Sequence, residues 1–216
     1  MSSEKNIAAV LGTLSAIFLI FFIYIVHQYV KLQKFADHAY LPLCFSDASG
    51  GGEEWGERDV AYKFTDPNAC VLEFGGGSGS VSLVVQRILK TPHNHVVVQP
   101  ADSSEMFGGY NKLCENQQSC SAAFTIIDHV LQAGEAPQVF DLVSKPFDLI
   151  IADCEGCLVD EYHKNPSLFE HAKMIQVERD DVAKNDYSLL FATLCMRRIF
   201  SGPHSGRLAV EVWVRD

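Results

Sequence analysis

The feature that most constrains this chain is residues 71–85, VLEFGGGSGSVSLVV. A short apolar run rich in β-branched side chains meets four glycines within five positions. A second apolar run follows with helical spacing. The pattern predicts a buried strand, a tight turn and a helix. Without Cβ atoms at Gly75, Gly76, Gly77 and Gly79 the turn can bend sharply and let a ligand approach its backbone. The helix behind it presents unpaired N–H groups.

The same grammar repeats downstream. Apolar runs at 69–74, 95–100, 122–127, 147–153 and 174–178 read as strands, and 80–90 and 187–199 read as helices. A further helix starts at Ser103 or Ser104 and runs to about Cys114. Continuous apolar strands separated by helices imply a doubly wound α/β domain whose mostly parallel sheet is covered on both faces. The closing run at 207–214 alternates instead, which predicts an antiparallel strand near an edge. Ligands of open α/β sheets sit beyond the carboxyl ends of the strands.

Ahead of this domain, residues 7–30 contain no Asp, Glu, Lys or Arg. As a helix they would cover roughly 36 Å, enough to cross a hydrocarbon core of about 30 Å. The run is too long for a cleaved signal peptide and has no small-x-small site after it. The expected organisation is a tail at 1–6, a transmembrane helix at 7–30, a Gly- and acid-rich linker at 31–60 and a catalytic domain at 61–216. Part of the linker could also serve as a lid with Trp55 as its anchor. Lys31 and Lys34 after the span, against Lys5 before it, lean toward a single-pass protein with a cytosolic domain.

The chain has 216 residues and a formal net charge of −10. That balance excludes nucleic-acid binding by bulk charge. Its 48% hydrophobic content excludes a disordered chain. The seven cysteines are odd in number and sit mostly in apolar runs, which predicts buried thiols in a reducing compartment and no disulfide framework. Cys154 and Cys157 form a lone CxxC with no second pair at zinc spacing, so no metal is expected.

Glu73, two residues ahead of Gly75, narrows the ligand. An acid there would repel a pyrophosphate and favour a cation, and S-adenosylmethionine carries both a sulfonium and an ammonium group. No Lys follows the glycines, which excludes a P-loop. Glu73-x-Gly75-x-Gly77-x-Gly79 resembles the first motif of class I S-adenosylmethionine-dependent methyltransferases, which have a Rossmann-like sheet. The resemblance implies that Glu73 helps hold the methionine ammonium and that the glycines pass under the cofactor.

Three further segments resemble the FkbM type of that superfamily. They are VVVQPADSSEMFGGYNKLCEN with Leu113 and Asn116 in its Leu-x-x-Asn ending, FDLIIADCEG with Asp153, Glu155 and Gly156, and MIQVE ending in Glu178. The resemblance covers about residues 66–216 and implies methyl transfer to an oxygen of a small-molecule, sugar or lipid-linked acceptor. Gln99 stands where the family has a ribose-binding acid, with Asp102 as the alternative. Gln lacks the charge-assisted strength of a carboxylate.

Asp128, after the third strand, is the candidate adenine contact. Asp153, Glu155 and Glu178 lie past the ends of the fourth and fifth strands and are the candidate acceptor-facing acids, one of them taking a proton from a hydroxyl. His163 is a further candidate base. Two rivals remain open: a membrane-tethered, non-catalytic scaffold on this fold, which Gln99 favours, and a nicotinamide-dependent oxidoreductase.

Overall fold

The computed structural model describes residues 18–19, 21–26, 41–42, 44–46, 55–102, 109–179, 187–203 and 209–216. The chain divides into two units, Met1–Ala39 and Tyr40–Asp216. In the first, the described residues are helical and their large apolar side chains, Phe18 and Phe21 among them, are exposed. Among the described residues no helix is long and apolar enough to cross a membrane. The expected span at 7–30 lies largely outside the described residues.

The second unit is built as α1 (Trp55–Phe64), β1 (Val71–Phe74), α2 (Ser80–Ile88), β2 (His95–Val98), α3 (Gly109–Ser119), β3 (Thr125–Ile127), α4 (Ala136–Phe140), β4 (Leu149–Ala152), α5 (Leu158–Lys164), a 3-10 turn (Pro166–Phe169), β5 (Met174–Arg179), α6 (Ser188–Thr193), β6 (Met196–Pro203) and β7 (Ala209–Arg215). The seven strands form one sheet in the order β3-β2-β1-β4-β5-β7-β6. The first five are parallel, with Glu73 opposite Val97 on one side and Ile151 on the other. β7 runs antiparallel to both β5 and β6.

The central strands β1, β2 and β4 are buried on both faces, as their predominantly apolar runs require. Leu72, Phe74, Val96, Val98, Ile150 and Ile175 feed the larger cluster. On the other face Val71, Leu149 and Ile151 pack against Val81, Val84 and Val85 of α2. Helix α2 carries β-branched residues that disfavour an isolated helix. Its stability comes from burying these valines, at about 1.5–3 kcal/mol for each fully buried side chain. Gly79, with φ 87°, turns the chain into its first residue.

Three expectations are corrected. Residues 55–60, read as the end of a linker, are the first part of α1, where Val60 packs on Val210 and Val212 of β7 and Ala61 joins the α2 cluster. The helix expected at 187–199 ends at Thr193. Leu194 caps it, Cys195 takes a left-handed φ of 54°, and Met196 starts β6. Pairing with β7 along Met196–Pro203 overrides the local helical pattern of Leu190, Phe191 and Leu194. The closing strand is antiparallel and near an edge, as expected, with β6 alone outside it. The start expected for the third helix, at Ser103 or Ser104, lies outside the described residues.

The third correction concerns sulfur. Cys44 is bonded to Cys120, 76 residues away, and Cys154 to Cys157. Among the described residues, Cys70, Cys114 and Cys195 are free. Apolar surroundings suit a half-cystine as well as a thiol, and a partner 76 residues away leaves no local spacing to read.

Candidate functional site

The glycine bend leaves β1 at its carboxyl end and is fixed from three sides. The Gly75 N–H donates to the Val98 carbonyl at 3.0 Å, and the Gly79 N–H to the Gly76 carbonyl at 2.7 Å. Gly75, Gly77 and Gly79 all have left-handed φ, of 86°, 49° and 87°. A Cβ on Gly75 would fall 1.6 Å from the Asp153 carbonyl oxygen, and one on Gly76 would fall 2.6 Å from Val97 Cγ1. The glycines are therefore demanded by protein packing as well as by any ligand.

Leu113 and Asn116 of α3 complete the seat. A Cβ on Gly79 would meet Leu113 Cδ1 at 2.9 Å. The buried Asn116 amide donates to the Ser78 carbonyl at 2.8 Å and to the Ser46 carbonyl at 3.0 Å, while its own oxygen accepts from the Ser46 N–H at 3.0 Å. Leu-x-x-Asn thus clamps the bend to α3 and to the segment around Ser46, which the Cys44–Cys120 bond fastens beside it.

Glu73 does not face the mouth of the bend. It is 1% exposed and points under α2. One carboxylate oxygen accepts from the Ser82 hydroxyl at 2.8 Å, and the other lies 2.9 Å from Nε2 of His95, which is fully buried. Gln86 sets the tautomer. Its oxygen accepts from the Ala123 N–H at 2.9 Å, so its amide nitrogen faces His95 Nδ1 at 3.1 Å. Nδ1 then accepts and Nε2–H donates to Glu73. The expected role of Glu73 in holding an ammonium is therefore corrected: the carboxylate is a buried tie between β1, β2 and α2. His95, Ser82 and Gln86 were missing from the sequence reading. Their signal was faint, a His and a Gln at inward positions of otherwise apolar elements.

Gln99 is likewise turned to internal use. It is buried, and its amide oxygen accepts from the Gly77 N–H at 2.9 Å. Asp128, at the end of β3, is exposed and 3.2 Å from Nδ1 of His129. Its carbonyl accepts from the Ala101 N–H at 2.7 Å, which joins the β2 and β3 ends. The Asp128 carboxylate, then that of Glu135, raises the His129 imidazole above its ordinary value of 6.5. Asp102 is exposed in the turn after β2.

On the acceptor side, the Asp153 N–H donates to the Phe74 carbonyl at 2.9 Å, which stitches the β4 end to the β1 end. Asp153 and Glu178 each lie one residue beyond the paired Ala152 and Val177, so the register sets them side by side. Glu178 is 8% exposed. Glu155 is exposed and takes a φ of 54°. His163 is exposed in the last turn of α5, its ring against Tyr162. Among the described residues no group of three or more His, Cys, Asp or Glu could hold a metal ion. A shallow groove of about 270 Å³, lined by Val143, Lys145, Glu170 and His171, lies just before β4 and β5 and thus at the opposite end of the sheet.

No protein-family model and no curated protein matches the chain. Solved structures do. A protein in the NADB-Rossmann superfamily from Streptococcus agalactiae superposes with a TM-score of 0.53 at 12% identity, over 74% of this chain and 67% of that one. The ribosomal protein L11 methylase from Lactobacillus delbrueckii subsp. bulgaricus superposes at 0.53 with 15% identity, over 74% and 77%. The O-methyltransferase from Bacillus cereus in complex with SAH superposes at 0.51 with 16% identity, over 86% and 89%. At these identities the likeness shows a shared fold: a Rossmann-like sheet with an antiparallel β7, found in structures that include methyltransferases.

Proposed function

We propose that the chain is an S-adenosylmethionine-dependent methyltransferase, most simply transferring the methyl group to an oxygen of a small-molecule, sugar or lipid-linked acceptor. The observation that carries the reading is the strand order, with antiparallel β7 inserted between β5 and β6. Dinucleotide-binding sheets in the order 3-2-1-4-5-6 lack that inversion. With Glu73 turned inward, strand order takes over the discrimination from a nicotinamide enzyme that the acid was expected to supply. The methyltransferases among the structural neighbours support the same reading.

The bend fits the cofactor as a strip of backbone at the carboxyl end of β1, leading into the first turn of a nine-residue helix. Gly75, Gly77 and Gly79 would pass beneath it. Asp128, exposed at the end of β3, would contact the adenine. Gln99 contributes by holding the Gly77 N–H in place, because its acceptor oxygen is committed there. The cofactor supplies an electrophilic methyl group. The chain aligns the acceptor oxygen with it, and Asp153, Glu155 or Glu178 takes the hydroxyl proton. The FkbM type rests on the Asp153-to-Gly156 segment and on Leu113 and Asn116, whose clamp on the bend supports it.

Residues 7–30 are proposed as the bilayer anchor, on their length and lack of charge. The Cys44–Cys120 bond supports an oxidising compartment for the second unit, against the cytosolic placement that Lys31 and Lys34 suggest.

A second reading has its own observation. Glu73 and Gln99, the two side chains that the family resemblance assigns to the cofactor, are both spent on internal hydrogen bonds. A non-catalytic scaffold on the same fold would look this way. A thermal-shift comparison of the full chain with S-adenosylmethionine, S-adenosylhomocysteine and NADH tests the assignment. Stabilisation by the first two alone supports the methyltransferase, by NADH alone the oxidoreductase, and by none the scaffold.

A further inference from the structure

The Cys154–Cys157 disulfide sits at the carboxyl end of β4, between Asp153 and helix α5. Both half-cystines are partly buried against the larger apolar cluster, and Glu155 between them is exposed. We propose that this pair is a redox-active site that exchanges with a dithiol partner, and that its state sets how loop 153–157 seats against the glycine bend.

This bond ties no distant segments together. It joins residues three apart that the Cys157 N–H already ties to the Cys154 carbonyl at 3.2 Å. Cys44–Cys120, by contrast, holds two segments 76 residues apart. A CxxC between a strand and a helix is also the setting in which dithiol exchange is common. Of the three free thiols, Cys70 is buried, donates to the Lys145 carbonyl at 3.2 Å and is pushed up to about 12 by burial, while Cys114 is half-buried and Cys195 exposed.

The loop is coupled to the bend by contact. The Asp153 carbonyl fills the place where a Gly75 side chain would be, and the Asp153 N–H bonds to Phe74. Inside the small ring Glu155 holds φ 54° and Gly156 φ 91°. Opening the ring frees Glu155 to return to negative φ, which non-glycine residues favour, and the turn behind Asp153 then rearranges. In the exchange, one partner thiolate attacks a sulfur of the pair and breaks the S–S bond, giving a mixed disulfide. The second partner thiol then displaces the chain. The partner leaves as a disulfide after delivering two electrons and two protons, and Cys154 and Cys157 are released as thiols. The site stands whether or not the chain transfers methyl groups.

The test uses the native full chain, graded dithiothreitol, trapping with N-ethylmaleimide and peptide mass mapping. Cys154 and Cys157 should become labelled together at a dithiol concentration about tenfold below that which opens Cys44–Cys120. Hydrogen exchange in the peptide covering residues 75–79 should accelerate in the same samples. Opening of both pairs together, or a Cys154–Cys157 bond that survives until the chain unfolds, overturns the site. Unchanged exchange at 75–79 on reduction overturns the coupling. The Cys154→Ser/Cys157→Ser double variant should show the accelerated exchange without reductant while keeping the native circular dichroism spectrum. Native exchange in that variant also overturns the coupling.

Discussion

Gly75 leaves no space for even one more carbon. Its φ of 86° disfavours any side chain, and a Cβ would overlap the Asp153 carbonyl oxygen at 1.6 Å. Gly75→Ala should therefore lower stability by at least about 3 kcal/mol, combining backbone strain with overpacking. Gly134 has nearly the same φ, 88°, with nothing within 4 Å, so Gly134→Ala should cost only about 1–2 kcal/mol. Urea unfolding of the pair separates conformation from contact. Glu73→Ala strips the acceptor from the buried Ser82 hydroxyl and His95 ring nitrogen, and should cost about 2–4 kcal/mol in the same assay. A loss below about 0.5 kcal/mol would contradict its role as a tie. For His129 the sign is set by a folded value raised above 6.5. The contribution is complete below 6.5 and is lost as pH rises through the folded value. The NMR titration midpoint of His129 should lie above 6.5 and fall in Asp128→Asn.

Among the elements, the two disulfides differ in what they close. By loop entropy the Cys44–Cys120 bond, across 76 residues, should contribute about 4 kcal/mol, and the three-residue Cys154–Cys157 bond about half that. Melting of Cys44→Ser/Cys120→Ser against Cys154→Ser/Cys157→Ser checks the order. The strap that Cys44 carries also explains why Ser46 reaches Asn116. What was legible at this scale followed burial. The runs at β1, β2, β4 and β5 are predominantly apolar and buried because both faces are covered there, so their positions could be read directly. β6 could not, because Arg197, Arg198 and Ile199 face outward on an edge strand and their strand state depends on pairing with β7. The glycine bend was legible because several φ values there are open mainly to glycine. The direction of Glu73 was not, since it depends on His95, which lies 22 residues away and is brought close only by parallel pairing of β1 and β2.

For the whole molecule, the sheet order joins the separate pieces. Parallel strands β1 to β5 bring the glycine bend, Gln99, Asp128, Asp153 and Glu178 to one end of the sheet. The β6–β7 hairpin closes the far side without adding to that end's parallel register. The central claim is that this end of the sheet binds S-adenosylmethionine through the backbone of the bend. Isothermal titration calorimetry of the cofactor into the full chain tests it most directly. We expect saturable binding of one equivalent, none with NADH, and loss of binding in Gly77→Val, whose β-branched side chain cannot easily hold a φ of 49°. A folded chain that takes up neither S-adenosylmethionine nor S-adenosylhomocysteine, or that binds equally well after Gly77→Val, would contradict the account.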